Sequence, residues 1–406
     1  MIRSYLALLR DERPVLLFGI GCAFLSSPGQ TFFISLFVGV VASSLGLGAA
    51  QLGSLYLVGT LGAASLLPLA GHWLDRLDLR RYTLLVMGGL AVACGVMALA
   101  NGPIGVILGF LMLRLTGQGL MTHVAAASVA RYFDRFRGRA LSIVALGFPL
   151  AEGILPAVAV AMIAGLGWRM TYGLIGAVVL FIAAPVLVRL IWRAPAFTRP
   201  PAWRKPGKPP RALDGLKIVV ATRFFWCALP ILLFMPFTST ALIFHIQVIA
   251  AAKGWTSELV ALSFTGYAIG HTAGLLLSGG VVDRLGARNM LALMNLPMMT
   301  GIAILGLFDA EPALLAFLAL AGASSGLVHT SGSAVWAEVY GTAQLGTIRS
   351  FGVMLMVGGT ALGPAAIGFL LDGGTPVGGV CGYLIAAGLA AALLAAIDAR
   401  RRSAPR

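Results

Sequence analysis

Long apolar runs follow one another along almost the entire chain, separated by short segments that carry most of the charged residues. A run of about 20 apolar residues is long enough to cross the hydrocarbon core of a bilayer as an α-helix. Twelve such runs give the predicted spans 14–41, 50–71, 82–101, 103–129, 140–165, 168–190, 222–249, 257–281, 289–308, 311–336, 349–371 and 376–397. The sequence therefore predicts an all-α membrane protein with twelve transmembrane helices.

The composition excludes a water-soluble protein of this length. Charged residues make up only 11% of the chain and hydrophobic residues 59%, whereas about a quarter of a soluble protein is charged. The N-terminus does not resemble a cleaved signal peptide, because Asp11 and Glu12 interrupt its positive charge and no small-residue cleavage site follows a short apolar core. We expect the first span to remain in the protein.

The basic residues predict the orientation of the spans. If the N-terminus is cytoplasmic, all but three of the 29 Lys and Arg residues fall on the cytoplasmic side; the exceptions are Arg114, Arg169 and Lys253. Such asymmetry is typical of inner loops, so both termini are predicted to be cytoplasmic in a bacterial inner membrane. The net charge of +15 then reflects topology, and no nucleic-acid partner is expected because the charge is spread over many loops.

The chain is predicted to consist of two related halves. A proline-rich, basic stretch at 196–221 is typical of a semi-rigid linker and separates a six-helix bundle at 1–195 from another at 222–406. GHWLDRLDLRR at 71–81 matches GGVVDRLGARN at 279–289 at an offset of 208 residues. The same offset pairs Tyr132 with Tyr340, Gly138 with Gly346, Ser142 with Ser350 and Pro156 with Pro364. Parallel six-helix repeats suggest two bundles around a central site that is exposed alternately to each side.

These motifs carry a resemblance to a known family. GHWLDRLDLRR resembles the signature between the second and third spans of the major facilitator superfamily, G-x-L-x-D-R-x-G-R-R/K, although Asp78 stands where the family usually has glycine. Arg114, Gln118 and Gly119 are similar to the arginine motif of the family's fourth helix. The resemblance covers essentially the whole chain and implies two six-helix bundles with pseudo-twofold symmetry.

The resemblance also implies a gate. In the family, the aspartate at the position of Asp75 caps a neighbouring helix and pairs with basic residues in one conformation. The predicted gate residues are Asp75, Arg76, Arg80, Arg131, Arg135, Asp283 and Arg284. The alternative is that these loop charges only set the topology.

Two further stretches indicate a substrate class. RYFDRFRGRALSIVALG at 131–147 and WAEVYGTAQLGTIRS at 336–350 resemble loops of monocarboxylate and oxalate/formate-type porters. The eleventh span has no mid-membrane arginine, since Arg349 lies at its inner end. The resemblance implies a small or singly charged organic anion rather than a dicarboxylate.

Arg114 lies in the middle of the fourth span, and an arginine keeps its charge at any ordinary pH. Of the 14 acidic residues, only Glu152 lies well inside a predicted span. Counted from the inner loop at about 1.5 Å per residue, the two differ in height by roughly 6 Å. Because intramembrane charges are costly, a buried pair of Arg114 and Glu152, direct or through water, is predicted.

The pair also predicts a mechanism. A guanidinium suits a carboxylate or another oxyanion, and burial favours the protonated form of a carboxylic acid that has lost its cationic partner. An anion that binds Arg114 would therefore leave Glu152 to take up a proton. The alternatives are that the two form a fixed structural tie, or that Arg114 hydrogen-bonds the backbone of the first span.

Softer polar candidates complete the predicted substrate site. Gln118 lies one helical turn from Arg114, and Gln30 and Thr31 adjoin a predicted break at Pro28-Gly29. A lone intramembrane histidine is more often a satisfied interior residue than a ligand. The predicted substrate-binding set is Arg114, Gln118, Gln30, Thr31, His329 and His245.

The leading hypothesis is a secondary transporter that moves a small organic anion with protons, as a monomer. Gly207-Lys208 is followed by Pro209, so no phosphate loop for ATP exists in the sequence. No metal-like or nucleophile constellation appears either, so neither an enzyme nor a cofactor is expected. A drug/proton antiporter that uses Glu152 as its proton carrier, and a non-transporting receptor on the same scaffold, remain as alternatives.

Overall fold

The computed structural model describes residues 12–132, 137–192, 219–340 and 345–403. Within these ranges the regular secondary structure is entirely helical, which confirms the predicted all-α fold. The chain divides into two compact units, one made of 1–47 and 54–203 and the other of 48–53 and 204–406. One boundary between the units, at 203 and 204, falls within 196–221. The predicted division into bundles at 1–195 and 222–406 stays a prediction.

Within the described residues, the first unit contains nine α-helices, one 3₁₀ turn and two π-helical segments. Its α-helices are α1 Arg13–Leu25, α2 Thr31–Leu45, α3 Ala49–Arg76, α4 Leu79–Ala98, α5 Pro103–Leu113, α6 Thr122–Tyr132, α7 Arg137–Ala145, α8 Gly147–Val178 and α9 Ala184–Trp192. A 3₁₀ turn, Ser27–Gly29, joins α1 to α2, and π-helical segments at Arg114–Met121 and Val179–Ala183 join α5 to α6 and α8 to α9.

The second unit begins with the first residues of α3 and continues through eight further helices in the described ranges. They are α10 Arg223–Phe244, α11 Ile246–Ala252, α12 Ser257–Leu285, α13 Ala287–Leu293, α14 Leu296–Leu307, α15 Pro312–Tyr340, α16 Leu345–Asp372 and α17 Val377–Ser403.

The helices are long and apolar enough to cross a bilayer. Ten segments of the described chain meet the length and hydropathy of a membrane span, and Pro312–Val328 is a shorter apolar helix. One of the ten, Ala140–Trp192, is 53 residues long and contains both the fifth and sixth predicted spans. Gly167, with φ +75°, interrupts the helical backbone between those two spans. The protein is therefore a multi-pass integral membrane protein.

Several predicted spans are interrupted in the structure. The predicted break at Pro28-Gly29 is confirmed, since the Ser27–Gly29 turn separates α1 from α2. The seventh span divides at His245 and the ninth divides after Met294, where Pro297 in the next helix lacks the N–H that would continue the ladder. Hydropathy predicts the length of an apolar segment, but it does not show where the helical hydrogen bonds within that segment are interrupted.

Small residues bring the helices of the second unit into close contact. A Cβ on Gly270 of α12 would lie 2.0 Å from the carbonyl oxygen of Ala319, and a Cβ on Gly326 would lie 2.4 Å from the amide nitrogen of Leu275. Side-chain-free positions let helix backbones approach in this way in membranes. The backbones of α12 and α15 are therefore packed directly against each other at these glycines.

The first turn of α3 is held within the second unit. The Asp372 carboxylate, at the end of α16, accepts hydrogen bonds from the amides of Ala49 at 3.1 Å and Ala50 at 2.8 Å. The opening amides of a helix have no intrahelical acceptor, so this side chain supplies one from more than 300 residues away in sequence.

Candidate functional site

A close backbone crossing in the first unit determines where Arg114 lies. Gly29, in the 3₁₀ turn, packs against the π-helical segment that starts at Arg114. A Cβ on Gly117 would lie 2.8 Å from the Cα of Gly29, and a Cβ on Gly29 would lie 2.1 Å from the carbonyl oxygen of Leu113. Only glycine fits at both positions, so the broken helix and the π segment meet backbone to backbone beside Arg114.

Arg114 is buried, with 3% of its surface exposed. Its Nη1 donates to the carbonyl oxygen of Gly29 at 3.3 Å and to the Thr31 hydroxyl at 3.5 Å. Its guanidinium carbon lies 5.2 Å from the centre of the Tyr56 ring. Its Nε is buried and has no hydrogen-bond partner among the described residues. None of these contacts is with a carboxylate. The groups that contact the charged guanidinium are a carbonyl, a hydroxyl and an aromatic ring.

This arrangement matches the alternative in which Arg114 hydrogen-bonds the backbone of the first span. A direct pair with Glu152 is not among the contacts of the guanidinium, and a water-mediated pair stays a prediction. Glu152 is itself buried, with 7% of its surface exposed. It lies on α8, a helix that also contacts the Ser27–Gly29 turn.

Tyr56 is the residue of this cluster that sequence reasoning missed. It is fully buried, its hydroxyl is 2.9 Å from the Thr31 hydroxyl, and its ring meets the Phe110 ring edge to face at 5.6 Å. Gly59, three residues further along α3, lets this helix approach α5 closely, because a Cβ there would lie 2.9 Å from the Phe110 Cβ. The only signal in the sequence was a tyrosine one helical turn before a glycine, which is too common to be diagnostic.

The two glutamines expected at the site lie near it, and the contacts given for them do not include the Arg114 guanidinium. Gln30 is half-buried and its Nε2 donates to the Ser26 hydroxyl at 3.2 Å. Gln118 is half-buried, and its backbone nitrogen lies close to Gly29, since a Cβ on Gly29 would come within 2.6 Å of it. Thr31 is the candidate that contacts Arg114 itself.

The second unit contains a different polar site. His245 is fully buried at the break between α10 and α11, with Nε2 2.8 Å from the carbonyl oxygen of Pro364. A carbonyl can only accept, so Nε2 carries the proton and Nδ1 is an acceptor, for which the structure gives no partner. His329 belongs to α15, but the structure does not describe its side chain.

Comparison with known proteins decides the family. The family model described as Major Facilitator Superfamily matches residues 19–256 and again residues 231–406. The chain belongs to the major facilitator superfamily. This membership makes it a transporter by family.

Solved structures of other facilitators share the fold. The crystal structure of the nucleoside transporter NupG superposes with a TM-score of 0.74 at 15% identity and covers 94% of this chain and 98% of that one. A bacterial homologue of the human lysosomal transporter Spinster, in an inward-facing and unoccupied conformation, superposes with a TM-score of 0.66 at 17% identity and covers 95% and 94%. Comparison with curated protein sequences gives no significant match.

The gate residues of the facilitator signature are described only in part. Arg80 lies at the start of α4, with its guanidinium carbon 5.7 Å from the centre of the Trp192 ring, and Arg284 is exposed near the end of α12. The side chains of Asp75, Arg76, Arg131 and Asp283, and the whole of Arg135, lie outside the described residues.

The second copy of the signature has a contact that the sequence did not suggest. Glu338, at the end of α15, accepts a hydrogen bond from the amide of Ala287 at 2.7 Å. Ala287 opens α13 directly after Gly286, whose φ of +79° favours glycine. Glu338 therefore secures the turn between α12 and α13 from another helix.

Proposed function

We propose that this facilitator moves a small, singly charged organic anion of the monocarboxylate class across the membrane by alternating access, together with a proton. The buried charge of Arg114 is the observation that carries the proposal. A charged residue inside a membrane protein commonly marks a substrate or ion pathway. The contacts of Arg114 leave its positive charge without a paired carboxylate, and an anionic substrate would supply the missing negative charge.

Glu152 is the proposed proton carrier. It lies in the membrane-spanning part of α8 and is nearly inaccessible. The same helix contacts the turn whose carbonyl accepts from Arg114. An anion at Arg114 and an ionised Glu152 would repel each other in a medium of low dielectric constant. Protonation of Glu152 removes that repulsion, so binding of the anion would favour uptake of one proton.

The remaining features of the proposal follow from the sequence. We place the protein in a bacterial inner membrane as a monomer with cytoplasmic termini, because nearly all basic residues fall on one predicted side. Gln30, Thr31, Gln118, His245 and His329 would complete the substrate site. The charged residues of the two signature loops, with Asp75 and Asp283 at their centre, would form the inner gate.

Uptake into liposomes tests the proposal. The purified protein is reconstituted and uptake of radiolabelled formate, lactate, pyruvate and benzoate is measured with and without an acidic exterior. We expect uptake of at least one monocarboxylate, driven by the pH gradient and abolished in Arg114→Gln. In Glu152→Gln we expect exchange of anion between the two sides to persist while the response to the pH gradient is lost.

Arg169 provides a matched control for the loss of an arginine. It lies in the same unit, stacks on Trp168 at 4.1 Å and donates to the carbonyl oxygen of Ala100 at 2.8 Å, but it lies at the predicted outer end of the sixth span. Arg169→Gln should transport normally. Full uptake in both Arg114→Gln and Glu152→Gln would reject the mechanism.

Other substrates in the same assay decide between the alternatives. Efflux of lipophilic cations without any anion uptake would favour the drug/proton antiporter. Nucleosides belong in the panel because the similar NupG is a nucleoside transporter. A protein that moves nothing under any gradient would favour the receptor.

A further inference from the structure

We infer that Tyr56 is a positioning residue that fixes the plane of the Arg114 guanidinium, so that a planar carboxylate binds at its Nε–Nη2 edge. This inference rests on the proposed function, since it specifies how the anion is held at the same site. It makes the site selective for carboxylates over tetrahedral oxyanions of equal charge.

The hydrogen bonds of Arg114 divide its guanidinium into a used edge and an unused one. Both bonds to the protein come from Nη1, to the carbonyl oxygen of Gly29 and to the Thr31 hydroxyl. Nε, on the opposite side of the planar group, is buried, and no group in the described part of the chain accepts its hydrogen bond. A buried donor without an acceptor is unfavourable, so an oxyanion at this edge would satisfy a group that the protein leaves unsatisfied.

The Tyr56 ring determines which way that edge faces. The guanidinium carbon lies 5.2 Å from the ring centre, within the range of a cation–π interaction. The ring is held in turn by the hydroxyl contact with Thr31 and by the edge-to-face contact with Phe110. Thr31 therefore contacts both the arginine and the tyrosine. Each of the three residues contacts the other two, on the Nη1 side of the guanidinium.

The geometry of the unused edge favours one class of anion. The N–H groups of Nε and Nη2 point in parallel and lie in one plane, which matches the two oxygens of a carboxylate. A carboxylate has only those two oxygens, both in its own plane. A sulfonate carries a third oxygen out of the plane, which would have to be accommodated beside the ring-covered guanidinium.

The experiment compares the monocarboxylate taken up best in the liposome assay with the sulfonate of the same carbon skeleton. KM and kcat are measured for the first, and inhibition constants for the second. Tyr56→Leu removes the ring and should raise KM for the carboxylate by about 2- to 30-fold, the range of a cation–π interaction, with little change in kcat. Tyr56→Leu should also lower the preference for carboxylate over sulfonate. Tyr56→Phe keeps the ring, so its KM and its carboxylate preference should stay much closer to those of the wild type.

Tyr172 supplies the control for a purely structural effect. It is also a fully buried tyrosine of the first unit, and its ring packs on Phe37 at 4.1 Å. Tyr172→Leu should reduce the amount of folded protein but leave the carboxylate preference of the remaining transporter unchanged.

The outcomes separate the two proposals. If uptake is lost in Arg114→Gln but the carboxylate preference is the same in Tyr56→Leu as in the wild type, the inference is rejected and the proposed function stands. Equal falls in preference in Tyr56→Leu and Tyr172→Leu would also reject it. If wild-type uptake survives Arg114→Gln, the proposed function fails and this inference fails with it.

Discussion

The backbone of Gly117 lies directly against that of Gly29, so that a Cβ on Gly117 would come within 2.7 Å of the Gly29 nitrogen. This contact joins the break in the first span to the π-helical segment that begins at Arg114. Single-turn π bulges are frequent at functional sites. Here the segment brings Arg114 beside the carbonyl oxygen of Gly29, which accepts its hydrogen bond.

Gly117→Ala should therefore damage both stability and transport. The added methyl group meets backbone atoms that cannot move aside, and overpacking of this kind costs about 1–3 kcal/mol. Thermal unfolding in detergent and anion uptake per folded molecule are the two measurements. Gly95→Ala is the matched control, because a Cβ at Gly95 meets nothing within 4 Å. A Gly117→Ala protein with wild-type stability and uptake would contradict the importance of the crossing.

Tyr172→Phe should stabilise the protein. The Tyr172 side chain is completely buried and its ring packs on Phe37. Within the ranges that the structure describes, its hydroxyl has no hydrogen-bond partner. The substitution keeps the ring and removes the unsatisfied hydroxyl, which should raise the free energy of unfolding by about 1 kcal/mol. Tyr56→Phe provides the contrast, since it removes a hydroxyl that is 2.9 Å from that of Thr31. A higher unfolding temperature for Tyr56→Phe than for Tyr172→Phe would contradict this reasoning.

Asp372→Ala should destabilise the start of α3. The carboxylate accepts hydrogen bonds from two successive amides at the opening of that helix, and loss of such a cap costs about 1 kcal/mol. Asp372→Asn keeps a capping oxygen and should lose much less. Glu311→Ala is the control, because Glu311 is an exposed acid of the same unit and its loss should change the unfolding temperature little. Equal unfolding temperatures for Asp372→Ala and the wild type would rule out a stabilising cap.

The spans and their order were predictable because bilayer thickness dictates the length of an apolar helix. The burial of Arg114 was predictable because it lies in the middle of one of these apolar runs. Its partners were predictable only in part. The sequence favoured Glu152 and left the backbone of the first span as the alternative, whereas a carbonyl of that span, a hydroxyl and an aromatic face contact Arg114 in the structure. Tyr56 lies 58 residues away in sequence, and only the close packing of α3 on α5 at Gly59 brings it there.

Glu338→Ala should loosen the turn that carries the second copy of the facilitator signature. The Glu338 carboxylate accepts from the Ala287 amide at 2.7 Å and so caps α13, a helix of only seven residues that depends on its ends for stability. Hydrogen exchange followed by mass spectrometry should show faster exchange over 287–293 in Glu338→Ala. In Glu338→Gln the side chain keeps an oxygen that can accept from Ala287, so exchange should remain close to that of the wild type. Glu311→Ala, an exposed acid just before the start of α15, is the control and should leave this segment unchanged. Unaltered exchange over 287–293 in Glu338→Ala would show that the other contacts of α13 suffice to hold the turn.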